Sequence, residues 1–239
     1  MAPKKNVLSK KQRSNAVSSY RNPIPFDDSR FICVEQEGRY REIANRRIWV
    51  EKRVSLNSEG DYRLMDQQLA LRKWGNLINP HKNLNHDIVQ EFYANAFSYE
   101  EEVFSFTSMV RGRFITFNRN AINEFLGIPP IVKEGGSCPH GKYLKRPLNI
   151  KEISAVILLE DRSLQLNTLE VPIRYKKDDL TPFAQAYLFL FLHNIRHIRH
   201  TSTFPLDTEN LQFQIVKGRH VDVTCIIAGE LKMVVESGH

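Results

Sequence analysis

The chain has 239 residues, of which 41% are hydrophobic and 26% charged, with a formal net charge of +7. That length suits one large domain or two small ones, with a core that takes roughly 70–75% of the unfolded surface out of water. The composition is that of an intracellular globular protein. No run of about 18 apolar residues marks a membrane span, no apolar leader opens the chain, and Cys33, Cys138 and Cys225 are too few and too scattered for a disulfide framework.

Residues 1–25 read as a disordered basic tail, rich in Lys, Ser and Asn and closed by Asn22-Pro23-Ile24-Pro25. Six cations and no acid fall in residues 1–22, so the rest of the chain carries only +1. The basic character is therefore an arm and not a general surface. Within it Lys10, Lys11 and Arg13 fit a short nuclear-import signal or a solubilising tail.

From residue 26 onward the pattern predicts a mainly α, single helical domain with a small β-hairpin or strand element. It has an N-terminal half to about residue 130, a loop over 131–147 and a C-terminal half from about 148. A short helix is expected from Phe31 to about Asn45, then a strand-like alternation over Arg47–Ser55. A helix follows from Leu64 to about Ile78, with Leu64, Leu71, Trp74 and Ile78 near one face and Asn79-Pro80 as its stop. Asn85 is placed to cap the next helix, which carries Ile88, Val89, Phe92, Tyr93 and Ala96.

Phe104–Val110 and Arg113–Phe117 are β-prone runs either side of Arg111-Gly112. If those two residues form the turn, Phe106 faces Phe117 and Ser108 faces Ile115. A longer loop with only Gly112 left-handed is the alternative. Asn118 or Asn120 then caps a helix over Ala121–Leu126, which Gly127 ends before Pro129-Pro130. Beyond the loop, Ile150–Leu159 is helical, and Thr181-Pro182 opens a helix that is apolar on almost every side and hence central and buried. Helices over about Thr208–Lys217 and Val221–Val235 complete the pattern. The end at Ser237-Gly238-His239 lacks a closing element and suits a piece of a longer protein.

Trp74-Gly75-Asn76-Leu77, then Ile88 to Ala96 with its Glu91-Phe92-Tyr93-Ala94-Asn95 run, resemble the plant transposon protein domain. So do Val110-Arg111-Gly112-Arg113 and Ala121-Ile122-Asn123-Glu124-Phe125-Leu126-Gly127-Ile128-Pro129. A Leu180–His200 helix and Ile215-Val216-Lys217-Gly218-Arg219 are similar to its C-terminal half, and the Ile122-to-Pro129 segment is also similar to the plant mobile domain. The resemblance runs from about Phe31 to the end. It implies a retrotransposon-derived, non-catalytic module without cofactor, working in protein interaction or self-association, and it brings no catalytic set.

Two candidate sites are read from the residues themselves. On a continuous helix His193, His197 and His200 share a face and offer a metal ligand set for a hydrolase. The competing reading is a cationic last turn that complements the helix dipole. Arg111, Arg113, Arg119, Lys142, Lys145 and Arg146 form a basic stretch with Phe114 and Tyr143, the material of a nucleic-acid contact alongside the tail. Cys138-Pro139-His140 is too compressed for a zinc loop, and Glu100-Glu101-Glu102 reads as a solvated acidic corner. The chain contains no phosphate-binding loop, zinc knuckle, Asp-Ser/Thr-Gly or Tyr-x-Asp-Asp motif.

Overall fold

A computed structural model of the chain describes residues 27–97, 105–129, 149–169, 172–196 and 202–237. The basic tail with Lys10, Lys11 and Arg13, the Glu100-Glu101-Glu102 run, the 131–147 loop, and His197 and His200 lie outside the described residues. The domain is mainly helical, with two small sheets where one β element is expected from the sequence. Among the described residues no helix is long and apolar enough to cross a membrane.

The first helix, α1 (Val34–Ala44), lies along α4 (His86–Asn95). Asn85 caps α4, its side-chain oxygen accepting from the Ile88 N–H at 3.2 Å. Between them the expected single helix over Leu64–Ile78 is broken into α2 (Arg63–Leu71) and α3 (Gly75–Ile78). Lys73 turns left-handed at φ 58°. The Trp74 N–H then returns to the Leu69 carbonyl and the Lys73 N–H to Ala70, a closed helix end that normally uses glycine. The break decides which residues are buried. Met65 and Leu69 face the core with Trp74, while Leu64 and Leu71, expected on the inner face, are exposed.

The hairpin is the two-residue form. Strands β1 (Ser105–Val110) and β2 (Arg113–Asn118) pair antiparallel, with Phe106 opposite Phe117 and Ser108 opposite Ile115. Arg111 at φ 50° and Gly112 at φ 72° are both left-handed, the geometry that matches strand twist. Phe92 of α4 closes on Phe106 and Phe117 with ring centroids 5.7 and 5.5 Å away. Helix α5 (Arg119–Leu126) starts on an Asn118 cap and ends at Gly127, φ 67°, where the Ile128 N–H reaches the Asn123 carbonyl.

In the C-terminal half, α6 (Ile150–Ile157) is followed by a sheet of β3 (Gln165–Leu166), β4 (Pro172–Lys176) and β5 (Thr203–Pro205), all antiparallel in that order. Tyr175 and Phe204 face each other across it. The central helix α7 (Pro182–Leu190) opens as expected on a Thr181 cap and Pro182. It runs into a wide π-turn, Phe191–Ile195, closed by the Arg196 N–H on the Phe191 carbonyl at 2.8 Å. The expected continuation to His200 is therefore not helical at Arg196, whose backbone is extended. Helices α8 (Leu206–Val216) and α9 (Val223–Ser237) complete the domain.

Helix α7 and its π-turn serve two of the three hydrophobic clusters. Tyr187, Leu190, Phe191 and Ile195 pack with Met65, Leu69, Trp74, Ile122 and Leu126. Ala184, Leu188 and Leu192, on the other side, pack with Ile153, Ile157, Tyr175 and Phe204.

The expected strand over Arg47–Ser55 is not one. The segment pairs with no strand among the described residues and is held by a side chain. The buried Asn194 amide accepts from the Lys52 N–H at 3.2 Å and donates to the Lys52 and Leu77 carbonyls, both at 2.7 Å. The Val54 N–H adds a bond to the Ile78 carbonyl. The π-turn sets the register that aims Asn194 at this strap, a use often found for such turns. Asn194→Ala is expected to cost about 1–3 kcal/mol, chiefly for the orphaned Leu77 carbonyl. Urea unfolding measures it, and an unchanged midpoint would remove the amide from any structural role.

Candidate interaction surface

The hairpin turn is fastened to α4 by two carboxylates of unequal depth. Glu91 is wholly buried: its Oε1 accepts the Arg111 backbone N–H at 2.6 Å, and its Oε2 accepts from Arg30 Nε at 3.1 Å. Asp87, one turn earlier and half exposed, takes the Arg30 and Arg111 guanidinium groups and the Tyr40 hydroxyl. The Tyr40 hydrogen bond first, and then the arginines, hold the Asp87 carboxyl below the usual range. Asn95, at the end of the same helix, donates to the Arg30 and Met109 carbonyls at 2.6 and 2.8 Å and accepts from the Ile32 N–H. A residue with left-handed backbone strain at Arg111 is thus held by a carboxylate on its own N–H.

These contacts place the predicted basic residues. Arg111 is ion-paired to Asp87 and Glu91, and Arg119 is mostly buried with its Nε 3.5 Å from Asp222. Asp222 also caps α9 through the Cys225 N–H. Their charge is largely matched inside the fold. Arg113 is exposed at the start of β2. Lys142, Lys145 and Arg146 lie outside the described residues, as does Cys138-Pro139-His140.

The outer strand β2 is the open side of the hairpin. Its only strand partner among the described residues is β1, and residues 113–116 are all exposed. Phe114 is 65% exposed, Ile115 lies beside it in the strand, and Phe125 on α5 is 70% exposed. A strand edge is normally blunted by lysine, proline or a bulge. Arg113-Phe114-Ile115-Thr116-Phe117-Asn118 has one cation, no proline and an unbroken register.

The histidine site is not assembled by the described residues. His193 packs against Phe189 with the rings tilted and their centroids 4.5 Å apart. Among the described residues no group of three or more His, Cys, Asp or Glu could hold a metal ion. A shallow pocket of about 430 Å³ lies where α2 ends and α5 stops, with Lys73, Asn123 and Glu124 in its lining.

Two features were not read as sites in the sequence. One is the strap with its exposed Trp49. The other is Glu209 on α8, only 1% exposed, neither of whose oxygens has a hydrogen-bond partner among the described residues. Burial pushes its carboxyl up to about 8. Neither has a motif; each depends on distant parts of the chain.

The joints of the fold fall on the residues that carry the family resemblance. Trp74 is core, Asn76 donates to the Leu126 carbonyl at 3.2 Å, Glu91 and Asn95 hold the hairpin, and Gly127 ends α5. The family model described as "Putative plant retrotransposon-related domain" matches residues 70–239, well over half of the chain. No curated protein and no solved structure matches.

Proposed function

The chain belongs to the plant retrotransposon-related domain family, and from that premise we infer a non-catalytic module that assembles with a second copy of itself through strand β2. The observation that carries this reading is the open edge of β2 with Phe114 and Ile115 exposed along it. Antiparallel pairing with its own copy would satisfy both free edges at once and bury the same patch on each side. The non-catalytic part is supported by the work the family-motif residues do as structural joints. Nuclear import through Lys10, Lys11 and Arg13 belongs to the same proposal and is supported by the concentration of cations in the first 22 residues.

Sedimentation of the full chain tests the assembly. The native protein is expected to dimerise, and Phe114→Lys with Ile115→Lys to leave a monomer with an unchanged circular dichroism spectrum. A native chain that stays monomeric at its highest soluble concentration, or a variant that still dimerises, overturns the reading.

A further inference from the structure

We propose that the Arg46–Arg53 strap is a binding platform for single-stranded nucleic acid, with Trp49 as a base-stacking surface. This goes beyond the assembly reading and does not rest on it. Four cations, Arg46, Arg47, Lys52 and Arg53, stand in eight residues against the single acid Glu51. None of the four has an ion-pair partner among the described residues, in contrast to Arg30, Arg111, Arg119 and Arg196. The body of the domain is close to neutral, and the strap is one of the stretches of its described part where uncompensated positive charge gathers.

The aromatic groups follow the same line. Trp49 is 56% exposed, an unusual position for so large an apolar ring, and its ring carries the Arg47 guanidinium at 5.3 Å. Lys52 lies 5.6 Å from the centre of the partly exposed Phe189 ring, which in turn meets His193 at a tilted angle. Cation and ring therefore alternate: phosphates have Arg46, Arg47 and Arg53, and bases have Trp49 and then Phe189. Stacking requires an unpaired base, since a duplex presents its edges and covers its faces. The platform is also preformed. Asn194 and the Val54–Ile78 bond pin the strap at its far end, beyond Trp49.

The chain supplies its own probe, because its two tryptophans differ in setting: Trp74 is 1% exposed and Trp49 is open. Labelled single-stranded RNA and DNA oligonucleotides are titrated into the full chain, following anisotropy and tryptophan emission together. Binding is expected to quench Trp49. With three to four phosphates engaged, affinity is expected to fall about 20- to 50-fold between 50 and 200 mM salt. Trp49→Ala is expected to weaken binding by about 5- to 150-fold with the fold intact, and Trp49→Phe to keep most of the affinity while losing the quench. Changing Arg46, Arg47 and Arg53 together to Gln is expected to flatten the salt dependence.

Binding without a Trp49 quench and indifferent to Trp49→Ala would place the contact on the basic tail and overturn the proposal. Equal affinity for a duplex, or for a poly-glutamate peptide, would overturn it too, as would no binding to either strand type.

Discussion

Glu91→Ala is expected to destabilise the domain by about 3–5 kcal/mol, the usual consequence of removing one partner from a buried charged joint. Glu91 is wholly buried and serves the Arg111 backbone N–H and the Arg30 guanidinium at once. Without it the left-handed Arg111 loses its anchor and the Arg30 guanidinium loses one of its two carboxylates. Glu91→Gln keeps an acceptor for the N–H and is expected to fall between the two. Asp87 touches the same two arginines but its side chain is 43% exposed. Its removal is expected to cost about 1 kcal/mol or less because water screens the pair. Chemical denaturation of the three variants gives the comparison. If Asp87→Ala costs as much as Glu91→Ala, burial is not what makes the joint strong.

Glu209→Gln is expected to stabilise the protein, by about 2–4 kcal/mol at pH 8. The Glu209 carboxyl is pushed from an ordinary 4.5 up to about 8 by burial. A folded value above the unfolded one means the native state holds a proton that the unfolded chain releases. Its contribution is fully present below about pH 4.5 and is lost as pH rises towards 8. Glutamine does not ionise, so the gap between variant and native protein should open across that window and level off above it. Denaturant midpoints at pH 5 and pH 8 measure it directly. A gap that is the same at both values would show that Glu209 finds a partner or water in solution.

Local chemistry made much of this fold legible. The pair Phe106 and Phe117 followed from counting outward from Arg111-Gly112, and the two-residue turn is the alternative the structure adopts. Asn85 and Thr181 cap where their spacing to the apolar residues demands it, and Asn118 is the cap of the two asparagines offered for α5. What escaped depends on distant partners. Strands β3 and β5 have two and three residues, too short for any alternation to register, and exist because β4 lies between them. The break after Leu71 has no glycine or proline at the turning residue, since Lys73 itself goes left-handed.

The site was legible in a different proportion. Charge counting put the basic patch at Arg111 and Arg119, but a sequence does not say which cations already have partners 24 or 103 residues away. The strap carried its arginines and Trp49 in plain view. Its alternation suggested a strand with one buried side, and only the Asn194 contacts, 142 residues distant, reveal a segment held by its backbone with Trp49 and its four cations exposed.

The sharing of α7 between two cores bears on how such a domain can be inherited. Ile122 and Leu126 from the first half need Tyr187 and Leu190 from the second as their wall, while Ile153 and Ile157 need Ala184 and Leu188 on the opposite side of the same helix. A recombination breakpoint between Leu126 and Pro182 would leave one daughter gene a half-core without its wall and the other a wall with one side uncovered. For a sequence related to retrotransposons, that makes the domain a unit to be inherited whole and not divided.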